Sequence, residues 1–157
     1  MNLKDLLVYD TGNGGDIFIS SDILLGEPLA QMAYLCLFGG NIEAETKGNE
    51  KKSDLRFDWW GNSLIFKDSI DKQFNSQTEQ ILNKIALNSS GRVKILQSVK
   101  NDLKPLKSFA KFEAEVFILS DTRLKIQILI QKPNNEEKTL SILWDDLKKN
   151  NIIEKLI

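Results

Sequence analysis

The residues of this chain that could do chemistry are carboxylates. Asp16 and Asp22 flank a short turn, and Asp54 and Asp58 flank an aromatic segment. A glycosidase needs two such groups at a set separation, one held protonated and one ionised. Glu113, Glu115 and Asp121 form a second set that a metal-dependent nuclease could use, but no lysine follows at the usual strand position. The chain has no histidine. That removes the commonest general base and the Ser-His and Cys-His nucleophile pairs. Cys36 is the single cysteine, so a structural zinc site is not expected. Acidic side chains in turns usually cap or are solvated, and outward charge on a half-exposed strand explains Glu113 and Glu115. The expectation is a protein without catalytic, metal-binding or cofactor-binding residues.

Two glycine-rich signals also fail. The run Asp10 to Gly15 precedes a strand, whereas a dinucleotide fingerprint follows one. Gly12 stands where a calcium loop needs a ligand. Cys36 lies in an apolar helical stretch, where a buried thiol is the ordinary outcome, and a lone cysteine fits a reducing compartment.

Charge is unevenly placed. The net charge is −1, with 41% hydrophobic and 27% charged residues, as in ordinary soluble domains. Residues 1–58 hold five Lys/Arg against ten Asp/Glu. Residues 84–111 hold Lys84, Arg92, Lys94, Lys100, Lys104, Lys107 and Lys111 against Asp102 alone. Such a segment can be a solvated helix face, a patch for an acidic partner, or a nucleic-acid contact. No apolar run reaches the roughly 18–20 residues that would span a bilayer. The first residues lack a secretory pattern, so synthesis in the cytoplasm is expected.

The 157 residues suit a single domain. Asp16 to Ser20 alternates like a strand, and Ile23 to Leu25 gives a second extended piece after the Ser21-Asp22 turn. Pro28 sits at the first turn of a helix, with Glu27 at its positive end. That helix is apolar nearly all round, which predicts burial. Gly39 and Gly40 end it. Residues 41–58 form a long polar loop. Ser76-Gln77-Thr78-Glu79 fits a capping box for a helix over about 77–88. A second helix covers about 91–102, with Val93, Leu96, Val99 and Leu103 inward, and Pro105 closes it. The chain then switches to period two. Phe112, Ala114, Val116 and Ile118 share one face, and Leu124, Ile126, Ile128 and Ile130 repeat the pattern. Thr139 to Trp144 completes a three-stranded antiparallel meander, followed by a tail over 145–157. The fold class is α+β, with helices on one sheet face.

Two features point to partners. Trp59 and Trp60 are adjacent, and neighbouring side chains in a strand face opposite ways. Either both rings staple the long loop to the domain, or one anchors a protein contact. The last meander strand, Thr139 to Trp144, carries neither charge nor proline inside it. It is either an edge kept open for strand addition, with Leu140, Ile142 and Trp144 supplying specificity, or an edge covered by the 145–157 tail.

Three stretches occur in a recognisable order: Gly15-Asp16-Ile17-Phe18-Ile19-Ser20 with Asp22-Ile23-Leu24, then Leu29 to Phe38 running into Gly39-Gly40-Asn41, then Trp59-Trp60-Gly61-Asn62-Ser63-Leu64. In this the chain resembles the baseplate wedge and sheath-initiator family of Mu-like contractile-tail phages. The resemblance spans the first 65 residues or so; beyond them only a helical region followed by strands corresponds. It departs where many relatives carry basic residues after the first helix, since Gly39, Gly40, Asn41, Glu43 and Glu45 stand there. The resemblance implies a structural virion protein without cofactor. Its partners would be other wedge and hub proteins and the tail sheath, which such proteins seed by lending a sheet edge. It implies assembly in the host cytoplasm and a final place in the tail baseplate. Some distant relatives have been labelled lysozyme-like, so a cell-wall hydrolase using a carboxylate pair is the leading alternative. A nucleic-acid-binding module using 84–111 is the third.

Overall fold

The computed structural model describes residues 4–10, 15–17, 19, 25–40 and 74–156. The fold is α+β, with three α-helices, two small strand pairs and one four-stranded antiparallel sheet among these residues.

The N-terminal strands are short. β1 (Asp5–Leu6) pairs with β4 (Leu25–Gly26), and β2 (Val8–Asp10) pairs with β3 (Gly15–Ile17). Of the extended pieces expected over 16–20 and 23–25, Asp16 and Ile17 fall in β3 and Leu25 in β4, each paired with an upstream strand. Helix α1 (Pro28–Phe38) follows. Proline at its start loses no hydrogen bond, because the first N–H groups have no helical partner. Glu27 accepts from the Ala30 N–H at 3.0 Å and also meets the Lys132 ammonium at 2.8 Å. One carboxylate therefore caps α1 and ties it to the sheet. The Gln31 amide reaches back to β2, donating to the Val8 carbonyl at 2.9 Å. Gly39 ends the helix where a Cβ would collide with the Leu35 carbonyl, and Gly40 takes φ 113°, which favours glycine.

Helices α2 (Gln77–Lys84) and α3 (Ser89–Asp102) form a hairpin, closed by a 3-10 turn at Lys104–Ser108. Asn88 caps α3 by accepting from the Gly91 N–H at 2.8 Å. The expected capping box of α2 is not formed: Ser76 makes no side-chain cap hydrogen bond. Asp102, at the far end of α3, takes that role. Its carboxylate accepts from the Gln77 N–H at 3.2 Å, the Thr78 N–H at 2.8 Å and the Thr78 hydroxyl at 2.7 Å. On α3, Ile95, Ser98 and Val99 are buried, while Val93, expected inward, is 59% exposed.

The sheet runs β5 (Lys111–Ile118), β6 (Arg123–Gln131), β7 (Glu137–Asp145) and β8 (Asn150–Leu156), each antiparallel to the next. The expected meander is therefore present with a fourth strand. The register places Val116, Ile126 and Ile142 side by side, and Leu124 beside Trp144. These residues are buried with Ile128, Ile130 and Leu140 in one hydrophobic core. Tyr34, Leu37 and Phe38 of α1, Leu82 of α2, and Ile95 and Val99 of α3 belong to the same core. The Tyr34 hydroxyl donates to the Asn151 side-chain oxygen at 2.8 Å, joining α1 to β8 in the interior. No described helix is long and apolar enough to cross a membrane.

Candidate functional site

The residues expected to make partner contacts fall into two groups. Trp59 and Trp60 lie outside the described residues, as do residues 41–58, where a polar loop is expected. Leu140, Ile142 and Trp144 are in the core, at 0%, 0% and 1% exposure. β7 is not an edge strand: β6 pairs along one side and β8 along the other. Of the two alternatives for residues 145–157, the covering tail is the one observed: the chain turns at once and β8 covers β7. Asp145 organises that turn, accepting from the Leu147 and Lys148 N–H groups at 3.1 and 3.2 Å, while Lys149 adopts φ 50°. The open-edge reading of Thr139 to Trp144 is corrected accordingly.

The edges of the sheet are β5 and β8. They differ. β8 pairs with β7 through a register break, Ser141 facing Lys155 and Ile142 facing Ile153, so Glu154 is an inserted residue. A bulge twists an edge away from further pairing. β5 is regular: all eight residues match β6 in unbroken register. Among the described residues no strand pairs with its other side. A regular strand with one unpaired side presents a row of N–H and C=O groups that another strand can take.

Helix α3 stands beside this edge. Between them lies a groove of about 630 Å³, lined by Ser89, Arg92, Leu96 and Lys100 of the helix and by Ala114 to Ile118 of β5. β5 carries Lys111, Glu113 and Glu115, and of these Glu115 lines the groove. Lys111 and Glu113 pair with each other at 2.6 Å. That contact raises the Lys111 pKa and lowers that of Glu113. On the outer sheet face the Lys125 ammonium sits 5.6 Å from the Phe117 ring centre, within cation–π range.

The basic segment is on the surface. Lys84, Arg92, Lys94, Lys100, Lys104, Lys107 and Lys111 are all exposed, whereas Asp102, the lone acid among them, is turned inward onto α2. Arg92 and Lys100 are the two cations that line the groove. The cations and the strand are each legible in the sequence; the approach of Arg92 and Lys100 to β5 is not.

Of the two carboxylate pairs, only Asp16 falls among the described residues. Asp16 is exposed on β3 and accepts from the neighbouring Ile17 N–H. Asp22, Asp54 and Asp58 lie outside the described residues. Among the described residues no three His, Cys, Asp or Glu side chains gather closely enough to hold a metal ion. Cys36 is buried, and burial, reinforced by the nearby Asp102 charge, pushes its thiol up to about 12. Such a thiol stays protonated at neutral pH and is a poor nucleophile.

No family model, curated protein or solved structure matches this chain.

Proposed function

We propose that this chain is a structural component of a contractile phage tail or of a prophage-derived particle, a baseplate wedge protein that contacts the tail sheath. The observation that carries the reading is the ordered set of three stretches within the first 65 residues or so, ending in Trp59-Trp60-Gly61-Asn62-Ser63-Leu64. The α+β fold with a regular unpaired β5 edge supports it, because seeding a sheath by strand addition needs such an edge. The role of sheet edge passes from Thr139–Trp144 to β5. Partners are other wedge and hub proteins and the sheath. The chain acts by binding and turns over no substrate. It is made in the host cytoplasm and ends in the baseplate of the particle.

Deletion of the gene from the strain that produces the particle tests this. Electron micrographs of the lysate should then lack sheathed tails, and a plasmid copy should restore them. Sheathed, contractile tails made without the gene would contradict the reading.

A further inference from the structure

Resting on that reading, the geometry points to the chemistry of the segment that β5 receives: an extended strand carrying an acidic residue, then an apolar one two places on, then a second acidic one two places further. The argument is a match of two periods. Arg92, Leu96 and Lys100 are spaced four apart on α3 and line one wall of the groove. Four residues of α-helix advance about 6 Å. Two residues of a strand advance about 6.7 Å and return to the same face. A strand added to β5 enters the groove whose walls are Ser89 to Lys100 of α3 and Ala114 to Ile118 of β5. Its successive inward side chains then arrive opposite Arg92, Leu96 and Lys100 in turn.

The other wall fits the same occupant. Ala114 and Ile118 belong to the inward face of β5 and leave an apolar floor on either side of buried Val116. The central side chain of the incoming strand meets Leu96 over this floor. The flanking carboxylates meet the two cations. Glu115 is the one acidic group among the lining residues, so the groove keeps a net positive charge. The required order, acidic, apolar, acidic, reads the same in both directions. It therefore suits a parallel or an antiparallel strand.

The test uses the whole chain and fluorescently labelled nonapeptides. One peptide has glutamate, isoleucine and glutamate at its third, fifth and seventh positions and threonine elsewhere; in a second, lysine replaces both glutamates. The glutamate peptide should bind the protein and the lysine peptide should not. In Arg92→Glu/Lys100→Glu the glutamate peptide should bind about tenfold more weakly, the scale set by reversing two exposed ion pairs. The lysine peptide should gain binding to that variant. Circular dichroism confirms that the variant is folded, and both substituted side chains are exposed. Equal binding of the two peptides, or binding of neither, overturns the inference. So does an oligothymidylate that displaces the glutamate peptide and loses its own affinity in the variant, since the groove would then serve nucleic acid. The two readings fail separately. Sheathed tails from a gene deletion would sink the baseplate reading and leave the peptide preference standing. Peptide indifference alongside sheathless deletion particles would do the reverse.

Discussion

Asp102 holds Thr78 twice, accepting from its N–H at 2.8 Å and from its hydroxyl at 2.7 Å. The last turn of α3 thereby caps the first turn of α2. Burial pushes the Asp102 carboxyl up to about 6, against the hydrogen bonds from Thr78 and Gln77, which pull it down. The folded value lies above the ordinary 3.8. A carboxyl raised in this way favours the folded state most at low pH, and that contribution fades as pH rises through about 6. Asn in its place would keep an acceptor and lose the titration. Urea unfolding of the protein and of Asp102→Asn should therefore diverge between pH 5 and pH 7.5, the native chain losing on the order of 1 kcal/mol relative to the variant. A pH-independent difference would contradict the assigned burial.

The strand β7 is interior, and proline should report it. Ser141 lies between Gln127 and Lys155, and Leu143 between Lys125 and Ile152. Ser141→Pro and Leu143→Pro each remove a ladder donor, so each should lower stability by about 3 kcal/mol or more. One variant with unchanged thermal stability would show that β7 has a free side.

On β5 the same substitution should discriminate. Consecutive residues of a strand direct their N–H groups to opposite sides. Of Ala114→Pro and Glu115→Pro, both outside the fully buried core, one removes a bond to β6 and the other a donor on the unpaired side. Thermal unfolding should find one variant clearly weakened and the other near the native value. Two equally weakened variants would mean that the edge is already occupied within the molecule.

Tyr34 and Asn151 bridge the interior from α1 to β8. Tyr34→Phe leaves the Asn151 oxygen buried without its donor, at a cost of about 1–3 kcal/mol. Trp144→Ala empties an aromatic core site and should cost about 3–5 kcal/mol. Denaturant midpoints measure both. A loss below about 0.5 kcal/mol for Tyr34→Phe would mean that the bond is not made in solution.

These elements also show what the sequence could and could not reveal. The alternation of Phe112 to Ile118 and of Leu124 to Ile130 announced two strands, since period two needs no distant information. The fourth strand was hidden. Its turn has neither glycine nor proline; Asp145 supplies the hydrogen bonds and Lys149 the left-handed backbone. Asn150 and Asn151 read as polar tail, although Asn151 is buried because Tyr34, far away in sequence, meets it. Apolar spacing points Val93 inward, but the buried stripe of α3 includes Gly91, Ser98 and Asp102, which do not look like core. Ser76 looked like the cap of α2, and a carboxylate on the next helix displaced it. At the site, the cations and the strand were legible singly. Their alignment depends on how α3 lies beside β5, which no local pattern encodes.

Locating the chain in the particle tests the central claim most directly. A gold label against a short tag on the chain, applied to purified tails and viewed by electron microscopy, should decorate the baseplate end at the foot of the sheath. Tails that carry no label, with the tagged chain left entirely in the unassembled protein of the lysate, would contradict it.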